Sequence, residues 1–164
     1  MKRFLRHSFT TKSLLKKTFP KKTLESIELV IGESEKRHSA QVCFSAEASL
    51  SVGDLFRQKT SRERALEVFS LQRVWDTEDN SGVLLYLLLA DKKIEIIADR
   101  GISRKVESGI WVEICKHIEE NFKKGWFEKG IINGISEITE ILETYFPRNG
   151  KPIENELSDA PTLL

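Results

Sequence analysis

"LLYLLLADKKIEIIADRG", Leu84 to Gly101, decides the fold. From Val83 to Leu89 no polar residue interrupts the run. A strand apolar on both faces belongs in the middle of a sheet that is covered on both sides. Asp91-Lys92 then offers a turn, and Lys93 to Ala98 returns with Ile94, Ile96 and Ile97. The stretch predicts a β-hairpin whose first strand is central. The hairpin ends on two charges and a glycine, Asp99-Arg100-Gly101. Gly101 suits a turn that needs positive φ.

Working outward, Ala40 to Glu47 alternates, with Ala40, Val42, Phe44 and Ala46 on one side, which is the period of a strand. Ser49 to Thr60 reads as a loop. Thr60-x-x-Glu63 is a capping box opening a helix that carries Ala65, Leu66, Val68 and Phe69. A strand, a helix and a strand in succession predict a parallel crossover. Lys21 to His38 has Leu24, Ile27, Val30 and Ile31 at helical spacing, with Pro20 at its start. Beyond the hairpin, Ile110, Trp111, Ile114, Cys115, Ile118 and Phe122 mark one amphipathic helix. Phe127, Ile131, Ile135, Ile138, Leu142, Tyr145 and Phe146 mark a second, and Gly125 separates the two. Gly130 and Gly134 predict close packing of that second helix on a neighbour. The fold expected is a three-layer α/β/α sandwich with a mixed central sheet.

The chain has 164 residues, 40 % of them hydrophobic and 31 % charged, which suits one soluble domain. No apolar run approaches the roughly 20 residues needed to span a bilayer. Met1 to Pro20 has charges scattered through it and is not a secretory signal. Cys43 and Cys115 read as reduced core residues, and the absence of CxxC and the scatter of His7, His38 and His117 argue against a zinc site. These features place the protein in the cytoplasm. Residues 1–22 hold eight basic residues and no acid, a charge of +8 in a chain of net +1, which leaves −7 for the rest. The expected organisation is a basic amphipathic arm over 1–19, a folded domain over 20–147 and a disordered polar tail over 148–164. The arm, with Phe4, Leu5, Phe9, Leu14, Leu15 and Phe19 among its charges, suits peripheral contact with an anionic membrane through residues 1–22; the plainer alternative is an arm packed on its own domain. Nucleic acid is not expected, because an acidic body repels phosphates.

Two charged loops flank the hairpin. Asp76-Thr77-Glu78-Asp79-Asn80-Ser81 enters the central strand, and Asp99-Arg100-Gly101 leaves its partner. In an antiparallel pair the start of one strand lies beside the end of the other, so these loops should meet. Three carboxylates, an amide and two hydroxyls in six residues match the oxygen donors that calcium takes, with magnesium as the alternative. The loop is not an EF-hand: counted from Asp76, glycine falls at position 7 and Leu87 at position 12. A polar turn that caps the preceding helix is the plainer reading. Phosphatase, hydrolase and phosphate-loop signatures are missing.

The residues from Arg64 to Ile102, with "WDTEDNSGVLLYLLLADKKIEIIADRGI" at their centre, resemble the TPM domain family. So do "ESEKRHSAQVCFSAEASL" upstream and "IEENFKKGWFEKGIINGI" downstream, and the resemblance covers roughly residues 20 to 147. The family includes a plant thylakoid-lumen acid phosphatase. The resemblance implies an α/β/α sandwich, divalent-cation binding and phosphatase activity in some members, and accessory roles in maintaining membrane or protein complexes. Carried over by position, it implies Asp76, Glu78, Asp79 and Asp99 as metal ligands and Arg100 as a phosphate clamp. Relatives typically read His-Ser-Gly-Glu where this chain has His38-Ser39-Ala40-Gln41, and loss of that carboxylate predicts weaker metal affinity. The leading expectation is a cation-binding accessory protein with an unknown protein partner. A weak metal-assisted acid phosphatase is the rival.

Overall fold

The computed structural model describes residues 2–150 and 155–164. Residues 1 and 151–154, which fall within the expected arm and tail, lie outside the described residues. The elements run α1 (Lys2–Phe9), α2 (Lys12–Thr18), α3 (Lys21–Glu35), β1 (Gln41–Glu47), α4 (Val52–Phe56), α5 (Ser61–Leu71), β2 (Gly82–Leu88), a 3₁₀ turn (Leu89–Asp91), β3 (Lys93–Ala98), α6 (Arg100–Ser103), α7 (Ser108–Lys123), α8 (Phe127–Tyr145) and β4 (Thr162–Leu163). The sheet order is β3-β2-β1-β4. β1 and β2 are parallel with Gln41 opposite Gly82, and β2 and β3 are antiparallel with Val83 opposite Ala98.

β2 is buried at every position, as its unbroken apolar sequence requires. Its odd and even residues feed two separate cores. Val83, Leu85 and Leu87 join Val42, Phe44, Ile94 and Ile96 against α2, α3, α7 and α8. Leu84, Tyr86 and Leu88 face Leu55, Ala65 and Val68 of α4 and α5. This is the three-layer arrangement. The capping box at Thr60 and Glu63 is formed, and both of its hydrogen bonds are present. α7 and α8 approach so closely that a Cβ on Gly134 would lie 2.3 Å from Ile118 Cδ1.

Two local expectations need correction. The loop over 49–60 contains a short helix, capped where Ser51 Oγ accepts from Asp54 N–H. The hairpin turn is longer than two residues: the 3₁₀ turn precedes Lys92, which adopts a left-handed φ of 51°. The arm packs on its own domain, the plainer of its two expected arrangements. Arg3 and Arg6 lie 2.9 and 3.2 Å from the Asp91 carboxylate, while Leu15 and Phe19 of the α2 region are buried. His7 is buried beneath α1; its Nδ1 accepts from Leu50 N–H, and burial lowers its pKa.

The described end of the tail differs most from the expected disorder. Thr162 and Leu163 pair with Ser45 and Ala46 as a parallel edge strand, and Leu164 N–H donates to Ala46 O. Gln41 Oε1 accepts from Glu156 N–H and Leu157 N–H, at 2.9 and 3.0 Å. Leu163 packs against one core, Leu157 and Leu164 against the other. Removing residues 155–164 is expected to cost about 2–4 kcal/mol from lost apolar burial. It also bares the β1 edge, a template for pairing between chains. Urea melts and size-exclusion chromatography check both effects; a truncated chain as stable and as monomeric as the full one would show the tail to be dispensable.

Candidate functional site

The two charged loops meet where the hairpin geometry puts them. Asp99 N–H donates to Gly82 O at 2.9 Å and Gly101 N–H to Asn80 O at 3.0 Å. Arg100 Nε donates to Asn80 Oδ1 at 2.7 Å. Asn80 holds a left-handed φ of 50°, which turns its carbonyl toward Gly101. The approach is tight: a Cβ on Gly101 would sit 2.5 Å from Asp79 O and 2.6 Å from Asn80 O. Glycine is required here by closeness of backbone, not by positive φ.

Each candidate ligand has a definite place. Asp76 is exposed and paired with Arg73, three residues earlier in the turn after α5, at 2.6 Å. The Glu78 carboxylate is exposed, and its backbone N–H donates to the Glu156 carboxylate at 2.7 Å. Asp79 is exposed beside Gly101, Arg104 and Lys105, along a cleft of about 460 Å³ that reaches Tyr145 and Asn149. Asp99 is 9 % exposed and caps α6; its Oδ1 accepts from Arg100 N–H at 2.7 Å, and among the described residues its Oδ2 has no hydrogen-bond partner. Arg100 is engaged with Asn80, so it braces the junction. Asp79 and Asp99 thus flank one junction, whereas Asp76 turns back to Arg73 in the turn that follows α5. Among the described residues no three His, Cys, Asp or Glu side chains are gathered closely enough to hold a metal ion.

The two hydroxyls that the sequence offers as oxygen donors take different places. Ser81 Oγ is fully buried and, among the described residues, without a hydrogen-bond partner, while Thr77 Oγ1 accepts from Ser81 N–H at 2.8 Å. Glu156 is a participant the sequence does not announce, and nothing local could reveal a partner 78 positions from Glu78. Gln41 also has a specific task. Its amide donates to Glu35 Oε2 at 3.1 Å while its oxygen holds the tail. An ionised carboxylate at this position has no proton to donate to Glu35 Oε2.

Behind the junction lies a buried polar group. Glu35 Oε1 accepts from Val42 N–H at 2.7 Å. Burial pushes its pKa up to about 8, and nearby Asp159 adds to the rise. His38 Nε2 lies 2.8 Å from Ser34 Oγ, and Nδ1 lies 3.1 Å from Ala40 O. Burial lowers its pKa to about 4, so the ring is neutral at pH 7, with the Nδ1 proton assigned to the carbonyl. The Ser34–His38 pair has the separation of a nucleophile and its base, but Ser34 is 4 % and His38 0 % exposed. No substrate reaches it.

The chain matches the family model described as the TPM domain over residues 15–141. Among solved structures it is similar to the BA42 protein of the psychrophilic bacterium Bizionia argentinensis, at 26 % identity, with 87 % of this chain and 93 % of that chain covered and a TM-score of 0.76. It also resembles the N-terminal domain of a protein from P. gingivalis, at 16 % identity, 77 % of both chains and a TM-score of 0.61, a likeness of fold alone. No curated protein sequence matches it. With the family model spanning most of the folded chain and an all-buried central strand delivering the two loops to one junction, the protein belongs to the TPM domain family.

Proposed function

We propose that the protein is a non-enzymatic accessory module of the cytoplasm that binds a divalent cation weakly at the loop junction, calcium before magnesium. The observation that supports this reading is the Asp99 Oδ2 atom, buried and without a hydrogen-bond partner among the described residues, at a junction that also holds Ser81 Oγ. An ionised carboxylate oxygen in that position is costly unless a donor or a cation meets it. Asp99 and Asp79 are the proposed holding residues. Asp76 and Glu78 contribute through their charge, and the ion supplies relief of repulsion between the loops rather than a reaction. Oxygen donors of this kind suit hard cations.

Binding to the folded state raises stability by mass action, about 2.7 kcal/mol at ligand one hundredfold above Kd. The expected Kd is on the order of 10⁻⁴ to 10⁻³ M, the range of weaker calcium modules. Calcium is therefore expected to raise the melting temperature of the wild type, with less effect from magnesium and none in Asp99→Asn or Asp79→Asn. Equal melting of all forms at every calcium concentration removes the cation reading.

The rival, a weak metal-assisted phosphatase, draws on Arg104 and Lys105 beside Asp79 in the same cleft. Under it a cation polarises a phosphate oxygen while a basic side chain clamps the ester. Against it, Arg100 is engaged with Asn80 and the Ser34–His38 pair is sealed. Hydrolysis of a phosphate monoester that survives purification and is lost in Asp79→Asn favours the rival over the accessory reading.

A further inference from the structure

Folding of the basic arm divides it into two parts with different fates. The guanidinium groups of α1 face inward to the hairpin turn, where Arg3 and Arg6 pair with Asp91. α2 instead forms one wall of an open groove of about 880 Å³, and the start of α8 forms the other. Leu14, Pro20, Trp126, Phe127 and Ile132 line it. Leu14 is 44 % and Trp126 49 % exposed, so large apolar side chains stand in water along the groove.

The charge around these side chains is basic. Lys17 and Lys129 line the groove. Lys129 Nζ and Lys124 Nζ lie 4.9 and 5.2 Å from the Trp126 ring centroid. Among the described residues, none of Lys12, Lys16, Lys17, Lys124 and Lys129 has a carboxylate within 4.0 Å, whereas Lys21 is paired with Glu25. Glu128, an acid at the groove, accepts from the buried Thr23 hydroxyl at 2.7 Å.

We propose that the groove between α2 and the start of α8 docks the protein on an anionic phospholipid surface, with Trp126 and Leu14 entering the headgroup region and Lys17, Lys124 and Lys129 meeting the lipid charge. An amphipathic indole surrounded by lysines is the composition that settles at a membrane interface. Lysine ammonium groups on long stems act as point charges toward headgroups. The net −7 of the chain beyond residue 22 opposes an approach by polyanionic nucleic acid from any other side and orients the molecule with this face toward the membrane. An acidic peptide is the competing occupant.

The test is co-sedimentation of the full chain with vesicles of equal parts phosphatidylglycerol and phosphatidylcholine, and with phosphatidylcholine alone. The expected result is pelleting with the anionic vesicles only, weakened by raised salt, with a blue shift of tryptophan emission. Lys17→Glu combined with Lys129→Glu should weaken it by about tenfold or more. Trp126→Ala should weaken it and remove the blue shift, while Lys116→Glu on α7, away from the groove, should bind as wild type. Every variant changes an exposed side chain, and unchanged melting confirms folding. Equal pelleting of all forms, pelleting of none, or polyglutamate competing as well as anionic vesicles overturns the proposal.

Discussion

Gly101→Ala is expected to lower stability by about 3 kcal/mol, and Gly82→Ala to prevent folding altogether. Overpacking a well-packed site ordinarily costs about 1–3 kcal/mol, because neighbouring side chains give way. At Gly101 the neighbours are backbone oxygens, Asp79 O at 2.5 Å and Asn80 O at 2.6 Å from a Cβ, and they cannot rotate aside. The two loops must separate, and with them goes the bond from Gly101 N–H to Asn80 O. At Gly82 the clash is worse, since a Cβ would sit 1.9 Å from Val74 O. That position lies opposite Gln41 at the start of the central strand, so relief requires shifting β2 itself. Urea denaturation measures the first effect. A Gly101→Ala protein within about 0.5 kcal/mol of wild type would mean that the junction is loose.

The second large effect is a dependence on pH with two opposed origins. Glu35 holds its proton in the folded state up to about pH 8 because it is buried, whereas an ordinary glutamate gives it up near 4.5. Its contribution is therefore in place below pH 4.5 and is lost as pH rises toward 8, about 5 kcal/mol in all. His38 behaves in the opposite sense. Burial keeps it neutral down to about pH 4, while the unfolded chain takes a proton below 6.5. Stability from this group is lost as pH falls from 6.5 to 4, about 3 kcal/mol. Between 4.5 and 6.5 the two slopes offset each other. Above 6.5 Glu35 dominates, with the exposed His117, whose pKa the Glu137 hydrogen bond raises, acting in the same direction; Glu35 alone should cost the protein about 2 kcal/mol by pH 8. Glu35→Gln should flatten the alkaline side and His38→Gln the acid side. Equal stability of the wild type at pH 6.5 and 8 would contradict the placement of Glu35.

The parts of this fold that were legible in the sequence were those with local causes. The all-buried run of β2, the alternation of β1, the Thr60 capping box and the Gly134 contact each follow from a few neighbouring residues. Even the meeting of the loops was legible, because an antiparallel pair leaves no alternative. What escaped depends on distant partners. Glu156 and Leu157 reach Gln41 across 115 and 116 positions, and β4 has two residues, too few to show any period. The arm looked like a single basic segment because charge alone does not reveal that Asp91 takes its arginines. At the candidate site, residue type suggested three ligands in one loop. The fold adds what residue type does not show: Asp76 pairs with Arg73, and Asp79 lines a cleft beside Gly101.

The central claim is that the hairpin's two loops form one cation-responsive junction. Amide nitrogen–proton correlation spectra, recorded through a calcium titration, test it most directly. The account predicts that Thr77 to Gly82 and Asp99 to Ile102 shift together along a single binding curve with a midpoint on the order of 10⁻⁴ to 10⁻³ M. Asp99→Asn should abolish these shifts. Amides of the two loops that follow different curves, or that stay fixed while scattered surface carboxylates respond, would contradict it.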